Sequence, residues 1–184
     1  MKRSFFILLA STALPFAGVA QDRYMTRTGQ ISFHSSTPME DIDAVNDNVT
    51  SVWDATSGKV EFAVLIKAFN FEKALMQEHF NENYMESNTY PKALFKGEIK
   101  GVTAAQLAKA GTYPVEVSGT LTIHGVERPL TTKGTITVDA KGGILAESAF
   151  NVKPEDHGIE VPGTVRKNIA EQIAVKVKLN YTRM

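Results

Sequence analysis

Between Val115 and His124 the chain alternates without a break. Val115, Val117, Gly119, Leu121 and Ile123 fall on one side, and Glu116, Ser118, Thr120, Thr122 and His124 on the other. Successive side chains of a strand point to opposite faces, so a period of two writes a strand with one buried and one wetted face. The same period recurs along the chain. Val60, Phe62, Val64 and Ile66 alternate with Lys59, Glu61, Ala63, Leu65 and Lys67. Leu130, Gly134, Ile136 and Val138 alternate with Thr131, Lys133, Thr135 and Thr137. Ile173, Val175, Val177, Leu179 and Tyr181 alternate with Ala174, Lys176, Lys178, Asn180 and Thr182, and Ile31 and Phe33 with Ser32 and His34. Weaker strand signals lie at Ile42–Val45, Ala93–Ile99 and Ile144–Val152. Turns are expected at Thr56-Ser57-Gly58, His124-Gly125 and Lys141-Gly142-Gly143. That makes about eight strands, mostly joined by short turns, and points to an all-β, antiparallel barrel.

One segment breaks the rule. From Phe71 to Tyr84 helix formers dominate, and Leu75, Met76, His79, Phe80 and Tyr84 fall at helical spacing on one broad face. This predicts an α-helix between the third and fourth strands. Thr103–Lys109 predicts a second, short helix ended by Gly111.

The first residues read as an address. Lys2 and Arg3 precede the apolar run Phe5–Ala10, and the small residues Gly18-Val19-Ala20 stand before Gln21. This is the layout of a secretory signal peptide over residues 1–20, cleaved after Ala20. Pro15 and the small residues interrupt the run well short of the roughly 20 apolar residues of a membrane span. No later run is long enough for one. Residues 21–184 show no repeat or linker and are expected to form one domain, periplasmic or secreted.

Composition narrows the function classes. There is no cysteine, so disulfides, a thiol nucleophile and a thiolate metal site are excluded. A formal charge of +0 argues against nucleic acid as a partner. With 43% hydrophobic and 22% charged residues the chain has the makings of an ordinary core.

The alternation assigns an inward face: Phe33, Phe62, Val64, Ile66, Phe95, Val117, Leu121, Ile123, Ile136 and Phe150. It carries no charge. A barrel of about eight strands either fills its interior with side chains or holds one small ligand. Both outcomes use these residue types. If a cavity remains, it would favour a hydrocarbon chain, at roughly 0.8 kcal/mol per methylene buried.

Three strings resemble the YceI-like family of secreted bacterial proteins: Ile31-Ser32-Phe33-His34-Ser35-Ser36, Tyr90-Pro91-Lys92-Ala93-Leu94-Phe95, and Gly119-Thr120-Leu121-Thr122-Ile123-His124-Gly125-Val126. The leader, the length and the helix position match as well. The resemblance covers essentially all of residues 21–184, and the last string is its most specific part. It implies a lipocalin-like eight-stranded barrel with an elongated apolar pore. It also implies binding of a long-chain lipid, such as an isoprenoid, fatty acid or fatty amide, without catalysis and without a cofactor. The chain departs from the family at two strings, Lys67-Ala68-Phe69-Asn70-Phe71 and Lys153-Pro154-Glu155-Asp156-His157-Gly158-Ile159, so no headgroup contact carries over to these positions.

Other groups compete for a chemical role. His34, His79, His124 and His157 lack the spacing of a local metal motif, although His34, His79 and His124 with Glu78 could converge in space. Glu78, Glu82 and Glu86 read as a solvated helix side rather than a glycosidase pair. Ser35 and Ser36 lack the glycine-flanked turn of a hydrolase nucleophile. Phe69, Phe71, Phe80, Tyr84 and Tyr90 form an aromatic belt around the helix, read as a lid over a pore mouth. Lys67, Lys73, Lys92 and Lys96 lie near it and could meet an anionic head. The alternatives are a filled barrel that binds another envelope protein, and a histidine-dependent metal or redox protein. The belt or a barrel edge could also support a homodimer.

Overall fold

The computed structural model describes residues 22–184; the leader-like string of residues 1–20 lies outside them. The strands are β1 (Arg23–Ser36), β2 (Asp41–Asp54), β3 (Lys59–Leu65), β4 (Asn70–Phe71), β5 (Lys92–Lys100), β6 (Gly111–Ile123), β7 (Val126–Val138), β8 (Ile144–Val152) and β9 (Ile173–Arg183). Each barrel strand pairs antiparallel with its neighbours in the order β1-β9-β8-β7-β6-β5-β3-β2, and β2 returns to β1. This closes an eight-stranded barrel. β4 is a two-residue addition on β2, with Ala44 opposite Phe71. The strong alternations seeded β3, β6, β7 and β9 within a few residues of their ends. β2 runs 14 residues, far beyond the Ile42–Val45 signal. Its polar Asn46 and Ser51 are buried, so its inward face does not read as apolar.

Two local devices shape the ring. The β6–β7 hairpin turns on His124 and Gly125, with φ of 52° and 74°, the left-handed pair that a tight two-residue hairpin needs. Gly97 and Gly119 face each other across β5 and β6, and a Cβ on either would collide with the partner strand's backbone. A corner this tight tolerates only glycine.

The barrel has two different ends. At the end holding the turns after β2, β5 and β7, Trp53 stacks between Tyr24 and Tyr181, with ring centroids 5.6 and 5.8 Å apart. Trp53 is only 1% exposed. We call this the plugged end. At the other end the strands leave room, and the chain covers it with irregular structure.

The covering helix is shorter than its sequence suggests. α1 spans Ala74–His79, and Phe80–Tyr84 continues as a π-helical turn. Phe71 is drawn into β4 instead, and Leu75 points to solvent at 61% exposure. The expected helix over Thr103–Lys109 is corrected to consecutive turns. Gln106 Oε1 accepts from the Thr103 amide at 2.9 Å, and Leu107 alone reaches back four residues, to Thr103 O at 3.3 Å. One helical bond does not repay a helix nucleus, and Leu107 is used to seal the plugged end.

Candidate functional site

A cavity of about 300 Å³ lies under the covering segments. Its walls come from strand ends whose inward positions are apolar. Phe62, Val64, Leu121 and Ile123 stand on β3 and β6, and Phe33, Phe150 and Val175 on β1, β8 and β9. Register places these in two facing rows. Phe62 pairs with Phe95 and Phe95 with Leu121, while Phe33 pairs with Val175 and Val175 with Phe150.

The roof is aromatic. Phe80, the first residue of the π-helical turn, sits over Phe33, Phe69 and Phe71 at centroid distances of 5.4, 5.6 and 5.0 Å. Phe33 also meets Phe69 at 5.3 Å and Phe71 at 5.7 Å. The wide turn brings Tyr84 and Met85 to the cavity as well, beside Ile66. Burial pushes the Tyr84 phenol above its usual range.

The third side is a segment that the alternation did not mark as part of the site. After a 3-10 helix over Pro154–His157 the chain crosses the mouth, and Ile159, Val161, Val165 and Ile169 face the cavity. The signal was present in the four-residue steps from Val161 to Val165 to Ile169. Pro162-Gly163 hides it from a helix reading. Glu40 ties this segment to α1. Its carboxylate accepts from Asn168 Nδ2 at 3.1 Å and from Lys73 Nζ at 3.5 Å. The Asn168 hydrogen bond first, and Lys73 second, hold the Glu40 carboxyl below its usual range against partial desolvation. Ser35 Oγ accepts from the Ala170 amide at 2.9 Å. His79 is exposed and also lines the cavity, which marks where it meets the surface.

Eleven of the fifteen inward-face and aromatic-belt residues line this cavity: Phe33, Phe62, Val64, Ile66, Phe69, Phe71, Phe80, Tyr84, Leu121, Ile123 and Phe150. Phe95, Val117 and Ile136 do not. They line a separate void of about 70 Å³ deeper in the barrel. Tyr90 is a correction to the aromatic belt. Its ring lies 4.3 Å from His124 and covers the Gly125 turn, outside the cavity. A glycine at that turn leaves the space that the ring fills.

The remaining candidates scatter. His34 bonds Asp43 on the outer surface at 2.8 Å, and His124 lies 3.4 Å from Glu86. Instead of sitting in a surface turn, His157 is buried, and its Nδ1–H donates to Val126 O at 3.1 Å. Burial lowers its pKa. Among the described residues no three His, Asp or Glu side chains gather as a metal site. Lys67 bonds Asn88, Lys73 bonds Glu40, and neither Lys92 nor Lys96 lines the cavity.

The model of the YceI-like domain matches residues 24–181. The chain belongs to the YceI-like family. A relative in Pseudomonas putida strain W619, a UPF0312 protein, is 24% identical over 202 aligned positions covering 96% of this chain and 97% of its own. Two solved structures share the fold. A polyisoprenoid binding domain from Saccharophagus degradans, implicated in plant cell wall breakdown, superposes with a TM-score of 0.76 at 19% identity, covering 89% of this chain and 99% of its own. Burkholderia cenocepacia BcnA follows at 0.68 and 14%, covering 84% and 96%. The expected barrel with its inserted helix is thus the YceI-like fold.

Proposed function

We propose that this YceI-like protein is a non-catalytic, periplasmic or secreted binding protein that carries the apolar tail of one lipid inside its barrel. The observation that carries the reading is the 300 Å³ cavity, walled by aromatic and aliphatic side chains and roofed by Phe80. Its size falls at the lower end of ligand pockets, and an apolar lining with few polar groups suits a hydrocarbon. The polyisoprenoid-binding neighbour supports a lipid as occupant. The leader-like first 20 residues support export, and no described helix is long and apolar enough to cross a membrane. The tail enters beside α1, where His79 reaches the surface, once Phe80 lifts from Phe33, Phe69 and Phe71.

The test is native mass spectrometry and solvent extraction of protein purified from its own host, followed by titration with fluorescent fatty acids. A stoichiometric lipid adduct, or saturable uptake, is expected. Uniformly empty protein that takes up no probe would remove the reading. Leu121→Lys, which places a charge in the apolar wall, should abolish uptake, with circular dichroism checking that the barrel persists.

A further inference from the structure

The barrel interior holds two voids, an outer one and a smaller inner one. The 300 Å³ cavity and the inner 70 Å³ void share two wall residues of special interest, Phe62 and Phe150. Both rings are inward on a closed sheet, where side chains normally lose nearly all accessible surface. Both residues stay partly exposed, and each lines both voids. Phe62 is braced by Phe95 at 6.0 Å, and Phe150 by its β9 neighbour Val175. Below them the inner void ends at Leu179 and Tyr181, and Tyr181 meets Trp53 of the plugged end at 5.8 Å.

We propose that Phe62 and Phe150 are a floor that sets the length of tail the protein accepts. The inference rests on the lipid-carrier reading and names the ligand class more narrowly: a single-chain amphiphile of medium tail length. A methylene fills about 30 Å³, the share of one water, so the outer cavity would take a tail of about ten carbons, or two isoprene units. The inner void would take about two methylenes more, but only if the floor opened. A longer tail must bend back to the mouth or leave its end in water. Phe62 and Phe150 are therefore specificity-determining residues.

The probe is a series of saturated fatty acids from octanoate to stearate, titrated against the wild-type protein, Phe62→Ala, Phe150→Ala and the milder Phe62→Leu. Wild-type affinity should rise about fourfold per methylene up to about ten carbons and then level off. In the alanine variants the climb should continue, so that dodecanoate gains on decanoate by on the order of tenfold. Phe62→Leu should show a smaller shift in the same direction, which keeps the test valid if an alanine variant unfolds. The single tryptophan gives a second readout. A fatty acid brominated at its tail end should quench Trp53 in Phe62→Ala and leave it bright in the wild type. A wild-type affinity that keeps climbing to stearate, or equal quenching in wild type and variant, would overturn the floor alone. Binding of no member of the series would overturn the lipid-carrier reading, and the floor with it.

Discussion

At the plugged end the Tyr24 and Tyr181 rings both pack against Trp53, and the Tyr181 hydroxyl shares a 2.7 Å hydrogen bond with Ser51 Oγ, which itself donates to Glu61 O at 2.9 Å. At the mouth Phe33, Phe69, Phe71 and Phe80 are just as close to one another, yet a large cavity persists beneath them. The residue class is the same and the outcome is opposite. Tyr24, Trp53 and Tyr181 stand on paired strands, are held by register and fill their layer. Phe80 stands on a π-helical turn and Phe69 between two short elements, so their spacing is set by covering segments and not by the sheet. An aromatic patch becomes packing or a lid according to what its backbone is tied to.

The largest way to break this contrast is truncation at each end. Trp53→Ala should cost about 3–5 kcal/mol of unfolding free energy, the usual figure for a buried ring in a core that cannot collapse. Phe80→Ala should cost less than half of that while accelerating ligand exchange, because the ring already borders open space. Urea unfolding and stopped-flow release compare the two. Equal costs would mean that the mouth is ordinary core.

Next in size is Ser51→Ala. It leaves the Tyr181 hydroxyl without its partner at a buried site, for about 1–3 kcal/mol. Burial pushes the Tyr181 pKa up to about 12, against 10.0 in the unfolded chain. The folded state then holds that proton more tightly, so stability should fall as pH rises above about 10. Thermal melts in alkaline buffer measure this.

A smaller effect belongs to the cover. Glu40→Gln loses the Lys73 charge contact but can still accept from Asn168, whereas Asn168→Ala removes the tie itself. Uptake of a fluorescent fatty acid should quicken more in Asn168→Ala than in Glu40→Gln, with little change in melting temperature. The smallest expected effect is that of His157. Its folded pKa is lowered, chiefly by burial, from an ordinary 6.5. The unfolded chain therefore takes up the proton first, and stability should decline as pH falls below about 6.5. His157→Gln should flatten that part of the profile in melts from neutral to mildly acidic pH.

Much of the ring was legible because strands with one wet face must alternate. Val115–His124 and Ile173–Thr182 gave both their strands and their inward sides. β2 was hidden because Asn46 and Ser51 are buried polar residues that bond Leu65 O and Glu61 O, so the period fails where the sheet satisfies them internally. Within the site, the wall residues were readable by the same rule. The crossing segment was not, since Pro162-Gly163 breaks the four-residue steps of Val161, Val165 and Ile169 into turns. Depth along the barrel was also invisible. Val117 and Ile136 share the inward face with Leu121, but only register shows that they sit below the floor, while Phe95 stands level with Phe62.

The seam of the cylinder joins its first long strand to its last. Met25 lies opposite Thr182, and the Met184 amide donates to Arg23 O at 2.9 Å. A growing chain cannot complete that seam until β9 has been made. Until then the sheet has two raw borders, each able to recruit a neighbouring polypeptide. Assembly is thus governed by a contact between strands far apart in sequence, the kind that slows folding most.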